Sequence, residues 1–134
     1  SKRGFMIAVD TNIIIRFLTH DDDSQYTKSR KLFQTEALYI PDTVILETAW
    51  VLRYAYEFKC DEICEAFTKL FGLPNVSLSE PAIIAQAIQW HKHGLDFSDA
   101  LHVAHSQRYS TFLTFDKQFI QRAKGLCPCV VKKP

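Results

Sequence analysis

Four carboxylates stand where a chain can deliver chemistry: Asp10, Glu47, Asp99 and Asp116. Asp10 follows the apolar run from Phe5 to Val9, and Asp116 follows the run from Thr111 to Phe115. Both runs read as strands. In parallel sheets, ligands gather beyond the carboxyl ends of the strands. If the two strands are neighbours, both acids emerge on one edge. One such Asp is usually just a cap for the next helix, but two placed alike point to a site. On a helical wheel Glu47 falls between Tyr54 and Phe58, with Val51 close by. A charge on an apolar helix face is costly unless something pairs with it. A cation, a partner such as Arg16 or Lys117, or a head group reaching water would relieve that cost. Asp96 and Asp99 sit in Asp96-Phe97-Ser98-Asp99, which resembles a capping box with Asp in place of Glu. Asp96 is expected as the N-cap. Asp99, one turn in, projects off the helix start, where a carboxylate is well tolerated.

Four carboxylates around one edge repel each other, and some are expected to have raised pKa values without a cation. Hard oxygen ligands suit Mg²⁺ or Mn²⁺. Such an ion polarises a phosphoryl oxygen and activates water, which is the chemistry of phosphodiester hydrolysis. No Ser-His-Asp or Cys-His arrangement and no Gly-rich phosphate loop stands out in the sequence. The histidines at 20, 91, 93, 102 and 105 form no metal-spaced cluster; His102 and His105 share a helix with Asp99 and read as surface residues. Cys60, Cys64, Cys127 and Cys129 do not have the usual Cys-x-x-Cys zinc spacing, and helix packing accounts for Cys60 and Cys64.

The elements that must position these acids follow from hydrophobic periodicity. Strands are expected at 5–9, 38–40, 76–78, 111–115 and, as an edge, 129–131. Helices are expected at 11–18, from the acidic run Asp21-Asp22-Asp23 toward Glu36, at 42–58, 61–71, 81–90, from Asp96 to about Arg108, and at 118–124. The acidic run reads as a cap and first turn. Arg53 and Glu57 are expected as an i,i+4 pair on the wet side of their helix. Alternating strands and helices predict an α/β fold, with a parallel sheet flanked by helices.

With 134 residues, 47% hydrophobic and 13% aromatic, the chain has material for a core without staples and is expected to be one domain, 1–134. Residues 1–5 precede Met6 and read as a tag remnant or a flexible N-terminus. Glycines and prolines are scarce, at 4 and 5, which fits short connections. Repeats, low-complexity tracts and linkers are absent. The net charge of +1 gives no global support for a nucleic-acid partner, so any such contact must be local. No signal peptide or membrane span is evident, and a reducing cytoplasmic compartment is expected.

Taken together, these segments resemble PIN domains, and most closely the VapC-type toxins of toxin–antitoxin pairs. The matching motifs are Val9-Asp10-Thr11-Asn12, Leu46-Glu47-Thr48, Asp96-Phe97-Ser98-Asp99-Ala100-Leu101 and Thr114-Phe115-Asp116. Each is short; their order and spacing cover nearly the whole chain, from Met6 to about Val131. The resemblance implies a three-layer fold with a central parallel sheet flanked by helices. It also implies an endoribonuclease that uses water and Mg²⁺ or Mn²⁺. Asp10, Glu47, Asp99 and Asp116 match the family's acidic quartet. Asn12 and Thr114 match supporting polar positions, and Asp96 matches an acid often found there. Ser98 stands where many relatives carry Ala. Further implications are an RNA substrate, a homodimer and an antitoxin whose tail covers the acidic pocket.

Substrate grip would come from local cations such as Arg16 and Lys117, with Arg53, Lys92, His93 and Arg108 as further candidates. Two rival readings remain open. One is a non-catalytic binding or regulatory module on a PIN-like fold, which the modest charge favours. The other is a phosphotransferase with Asp10 as nucleophile, which leads one to expect an acid where Asn12 stands.

Overall fold

The computed structural model of the chain describes residues 6–134; Phe5 and the expectation for 1–5 lie outside the described residues. Among the described residues the secondary structure is α/β, with seven helices and parallel strands. Contacts divide it into two compact units, 1–79 and 80–134.

The first unit contains β1 (Ile7–Ala8), α1 (Thr11–Thr19), α2 (Asp23–Thr35), β2 (Leu38–Tyr39), α3 (Asp42–Tyr54), α4 (Cys60–Phe71) and β3 (Val76–Ser77). Its sheet runs β1-β2-β3, all parallel, with Ile7 opposite Leu38 and Leu38 opposite Val76. Each parallel step is bridged by two helices, because parallel neighbours need a long crossover. Ile14, Ile15, Phe33, Leu38, Ile40, Ile45, Leu52, Ile63, Phe67 and Leu70 are buried. Each large aliphatic side chain removed from water this way contributes about 1.5–3 kcal/mol.

The second unit contains α5 (Pro81–Lys92), α6 (Phe97–Ala104), β4 (Thr111–Leu113), α7 (Lys117–Ala123) and β5 (Val130–Lys132). β4 and β5 form a parallel pair, with Phe112 opposite Val131. Pro81 opens α5, where its missing N–H costs nothing. Gly94, at φ 108°, lets the chain turn between α5 and α6. Ile84, Trp90, Leu95, Phe97, Val103 and Phe119 are buried.

The elements fall where the periodicity placed them: β1 to β4, α3 and α6 are shorter than expected, α1, α4 and α5 run one or two residues longer, and α7 and β5 are shifted by one residue. The ladder partner of β1 is β2 and that of β4 is β5, so the strands carrying Asp10 and Asp116 belong to separate sheets. Helix α3 stops at Tyr54 rather than Phe58: Ala55 caps it, Glu57 takes a left-handed φ of 56°, and the Phe58 N–H donates to the Leu52 carbonyl. Arg53 and Glu57 are therefore no helical pair, and Arg53 Nη1 donates to the Phe58 carbonyl at 3.4 Å. Helix α6 ends at Ala104, and the Ser106 and Tyr109 N–H groups close tight turns instead. No helix among the described residues is long and apolar enough to cross a membrane.

Candidate functional sites in the two units

In the first unit the site grows from the join between β1 and α1. Val9 continues the ladder by donating to the Tyr39 carbonyl at 3.2 Å, so Asp10 emerges at the carboxyl end of the strand. Asp10 is exposed and caps α1, accepting from the Ile13 N–H through Oδ1 at 3.2 Å. Among the described residues its second oxygen accepts no hydrogen bond. The next residue, Thr11, is buried, and its hydroxyl donates to Glu47 Oε1. That bond holds the Glu47 carboxylate beside the strand end. Asn12 is exposed on the first turn of α1.

Glu47 itself is exposed, which corrects the reading of its face as buried. Of the neighbours that gave that impression, Tyr54 is 63% exposed and Phe58 lies beyond the end of α3; Trp50, one turn on from Glu47, is also 63% exposed. The buried side of α3 is instead Ile45, Thr48, Ala49 and Leu52. Arg16 does not pair with Glu47. Its guanidinium donates to Gln25 at 2.6 Å, Asp21 at 2.9 Å and the Tyr56 hydroxyl at 3.1 Å. Asp21 is further bound by Tyr56 and Thr19, and these contacts hold its carboxyl below its ordinary pKa, with the Tyr56 hydrogen bond the largest cause. Asp22 caps α2 and Asp23 lies in its first turn, as expected of the acidic run.

In the second unit three acids meet. Asp96 caps α6; its Oδ2 accepts from the Ser98 N–H at 3.1 Å, the Ser98 hydroxyl at 2.5 Å and the Asp99 N–H at 3.4 Å. Asp99 follows on the first turn and is half-buried. Burial, then the charge of Asp96, then that of Asp116 raise its pKa to about 6, against an opposing pull from Arg122. Asp116 is exposed and caps α7, with Oδ1 accepting from Gln118 N–H at 3.0 Å and Phe119 N–H at 3.1 Å. Its other oxygen accepts no hydrogen bond among the described residues. Thr114 Oγ1 accepts from the Asp116 N–H at 3.1 Å, and the Thr114 N–H donates to the Lys132 carbonyl at 3.0 Å, so Thr114 fixes the backbone that carries the acid. Lys117 is exposed at the start of α7.

The donors suit a hard divalent cation. They are carboxylate oxygens, and in the second unit burial, with the charges of Asp96 and Asp116 added to it, raises the Asp99 carboxyl to about 6. The four cysteines are thiols; burial and the neighbouring Cys129 raise the Cys127 thiol to about 11.

Thr11, Ser98 and Arg122 are roles that sequence reasoning missed. Thr11 and Ser98 lie inside the matching motifs, but the supporting role was read there at Asn12, and Ser98 was noted only as a replacement for Ala. Arg122 comes to Asp99 by the turn of α7, for which no local signal exists.

Comparison with known proteins gives three findings. The PIN domain profile matches residues 7–125. A search of curated proteins finds no match. Two solved structures are similar to the chain at low identity. VapC20 of Mycobacterium tuberculosis, a sarcin–ricin loop cleaving toxin, is 19% identical over 92% of this chain and 98% of its own, with a TM-score of 0.42. VapBC2 of Rickettsia felis, bound to a DNA fragment from its promoter, is 14% identical over 96% and 98%, with a TM-score of 0.40.

Proposed function

The chain belongs to the PIN domain family, and from that premise we propose that it is a metal-dependent endoribonuclease, the toxin of a toxin–antitoxin pair. The two units act as one domain in this reading, and Asp10, Glu47, Asp99 and Asp116 serve one hydrolytic site. The observation that carries it is Asp99, half-buried within the electrostatic reach of the Asp96 and Asp116 charges. A bound cation relieves that repulsion, as no neutral ligand does.

When bound, Mg²⁺ or Mn²⁺ polarises a phosphoryl oxygen and makes water a hydroxide source near neutral pH. The chain's own contribution is to aim oxygens. Asp10 and Asp116 each spend one carboxylate oxygen on a helix cap and keep the other for a ligand. Thr11 orients Glu47, and Thr114 orients the Asp116 backbone. Asn12 supports Asp10, and Asp96 sets the start of α6 and adds charge beside Asp99. Lys117 is free to meet a substrate phosphate. Arg16 is the weaker candidate for that role, since Asp21, Gln25 and Tyr56 engage its guanidinium. An antitoxin segment covering the acids, a homodimer and a cytoplasmic setting complete the proposal.

Cleavage of structured RNA by the purified protein tests it. Activity is expected with Mg²⁺ or Mn²⁺, none with chelator, and a loss of at least a hundredfold in Asp10→Asn and Asp99→Asn, roughly the effect of removing an electrostatic catalytic group. Activity unchanged in both variants would remove the basis of the assignment. The net charge of +1 favours one other reading, a non-catalytic module. That module is expected to show no Mn²⁺ binding by calorimetry.

A further inference from the structure

Helix α4 carries two thiols one turn apart, Cys60 and Cys64, for which the hydrolytic reading has no use. Their sulfur atoms lie within 4.8 Å of one another. Positions i and i+4 share a helix face, and this is the face on which Ile63, Cys64, Phe67 and Leu70 are buried. Cys64 is 6% exposed, whereas Cys60, at the first position of the helix, is half-buried.

Packing explains only part of this arrangement. A thiol behaves as a small apolar side chain and is at home in a core, which accounts for Cys64. It does not account for a second thiol set beside the first where the helix meets water. Two sulfurs at this separation suit one shared cation. Zinc–sulfur bonds of about 2.3 Å at a tetrahedral angle put two thiolate sulfurs about 3.8 Å apart. Closing on such an ion therefore asks for a movement of about 1 Å at most. The three residues between Cys60 and Cys64 fall within the range of roughly two to four that zinc-holding thiol pairs use. Paired histidines at i and i+4 grip zinc from one helix in the same way. Charge narrows the choice further. Two thiolates cancel a divalent charge, so the loaded pair is neutral and sits against the apolar side of α4 at little desolvation cost. Mg²⁺ prefers oxygen and is a poor match for sulfur.

We propose that Cys60 and Cys64 form a binding site for a thiophilic divalent cation of the zinc class, using none of the four acids. Two metal–sulfur bonds form, two S–H protons pass to the buffer, and water or an added thiol completes the shell on the Cys60 side. The bound ion ties the first turn of α4 to the second. The site is independent of the ribonuclease reading.

Cadmium shares zinc's preference for thiolates and gives a sulfur-to-metal ultraviolet band, so it serves as the probe. Titrated into the reduced, metal-free protein, Cd²⁺ is expected to raise that band to saturation at one equivalent, and Zn²⁺ to abolish it by displacement. Cys60→Ser changes a half-buried position and is expected to fold as the parent does. It is expected to lose the band and to weaken Zn²⁺ binding by more than the roughly ten- to hundredfold that loss of an outer-shell partner costs. Cys127→Ser is expected to keep both. Zn²⁺ is expected to raise the melting temperature of the parent and not that of Cys60→Ser. Cys64→Ala gives a second reading of the band; because Cys64 is buried, Cys60→Ser decides alone if that variant does not fold. A parent without the band, or a band of equal strength in Cys60→Ser, would overturn the inference, as would a band lost in Cys127→Ser alone.

Discussion

The Thr11 hydroxyl donates to Glu47 Oε1 and so joins two positions 36 apart in sequence. Thr11 follows Asp10 directly and is buried, so its side chain has little freedom. Glu47 is exposed and, without that bond, would sample many rotamers. Thr11→Val keeps the shape and removes the donor. The loss of one hydrogen bond is expected to cost about 1 kcal/mol of stability, or roughly 3–5 °C in melting temperature for a chain of this size. The Mn²⁺ dissociation constant is expected to rise about tenfold, the lower range for loss of a residue that orients a ligand. Calorimetry alongside thermal melts checks this. A Thr11→Val protein with lowered Tm and unaltered metal affinity would make Thr11 purely structural.

Glu47→Gln addresses the acid itself. Gln retains an oxygen to accept from Thr11, and the exposed position imposes no desolvation cost. The melting temperature of the metal-free variant is therefore expected to stay within about 2 °C of the parent, as for most surface substitutions. Metal affinity is expected to fall, since a charged ligand is gone. A large drop in Tm without metal would show that Glu47 holds the fold together.

Asp99 gives the chain a pH signature. An unfolded aspartate titrates near about 3.9, whereas burial and the charges of Asp96 and Asp116 raise Asp99 to about 6 in the fold. Between those values the folded state binds the extra proton. Stability of the metal-free protein is therefore expected to fall as pH rises from 4 to 6, and the cost is complete above about pH 6. Asp99→Asn removes that cost, so it is expected to be more stable than the parent at pH 7 with chelator present and to lose that advantage near pH 4. Mn²⁺, which competes with the proton, is expected to stabilise the parent more at pH 7 than at pH 5. Urea denaturation across this range decides it. A parent whose stability climbs from pH 4 to 6 relative to Asp99→Asn would contradict the assigned environment.

The acids at strand ends were legible because local rules place them. A polar residue closing an apolar run marks both a strand end and a helix cap, and Asp10, Asp96 and Asp116 are all caps. Glu47 was found for a partly mistaken reason. Aromatic residues on a wheel look like core, but Tyr54 faces water and Phe58 lies past the end of the helix, and composition alone does not distinguish a buried stripe from an exposed one. The early stop of α3 was equally hidden. Just past it Tyr56 bonds Arg16 and Asp21, contacts between residues 40 and 35 positions apart. Arg122 beside Asp99 and Thr11 beneath Glu47 belong to the same class, tertiary contacts with no periodic signature.

Asp96 separates capping from charge. Its carboxylate accepts from Ser98 and Asp99 at the start of α6, and it also raises the pKa of Asp99. Asn caps helices about as well as Asp, whereas Ala costs about 0.5–2 kcal/mol. Asp96→Asn is therefore expected to keep the parent's Tm, while Asp96→Ala melts several degrees lower. Both remove the same charge, so in both the Asp99 carboxyl is expected to titrate below its parent value, though still above about 3.9, because burial is the larger cause. NMR titration of the carboxyl carbon reads that shift. If Asp96 is only a cap and a charged neighbour, Asp96→Asn keeps RNA cleavage within a few-fold. A stable Asp96→Asn protein that binds Mn²⁺ weakly and cleaves nothing would instead add Asp96 to the four acids proposed as ligands.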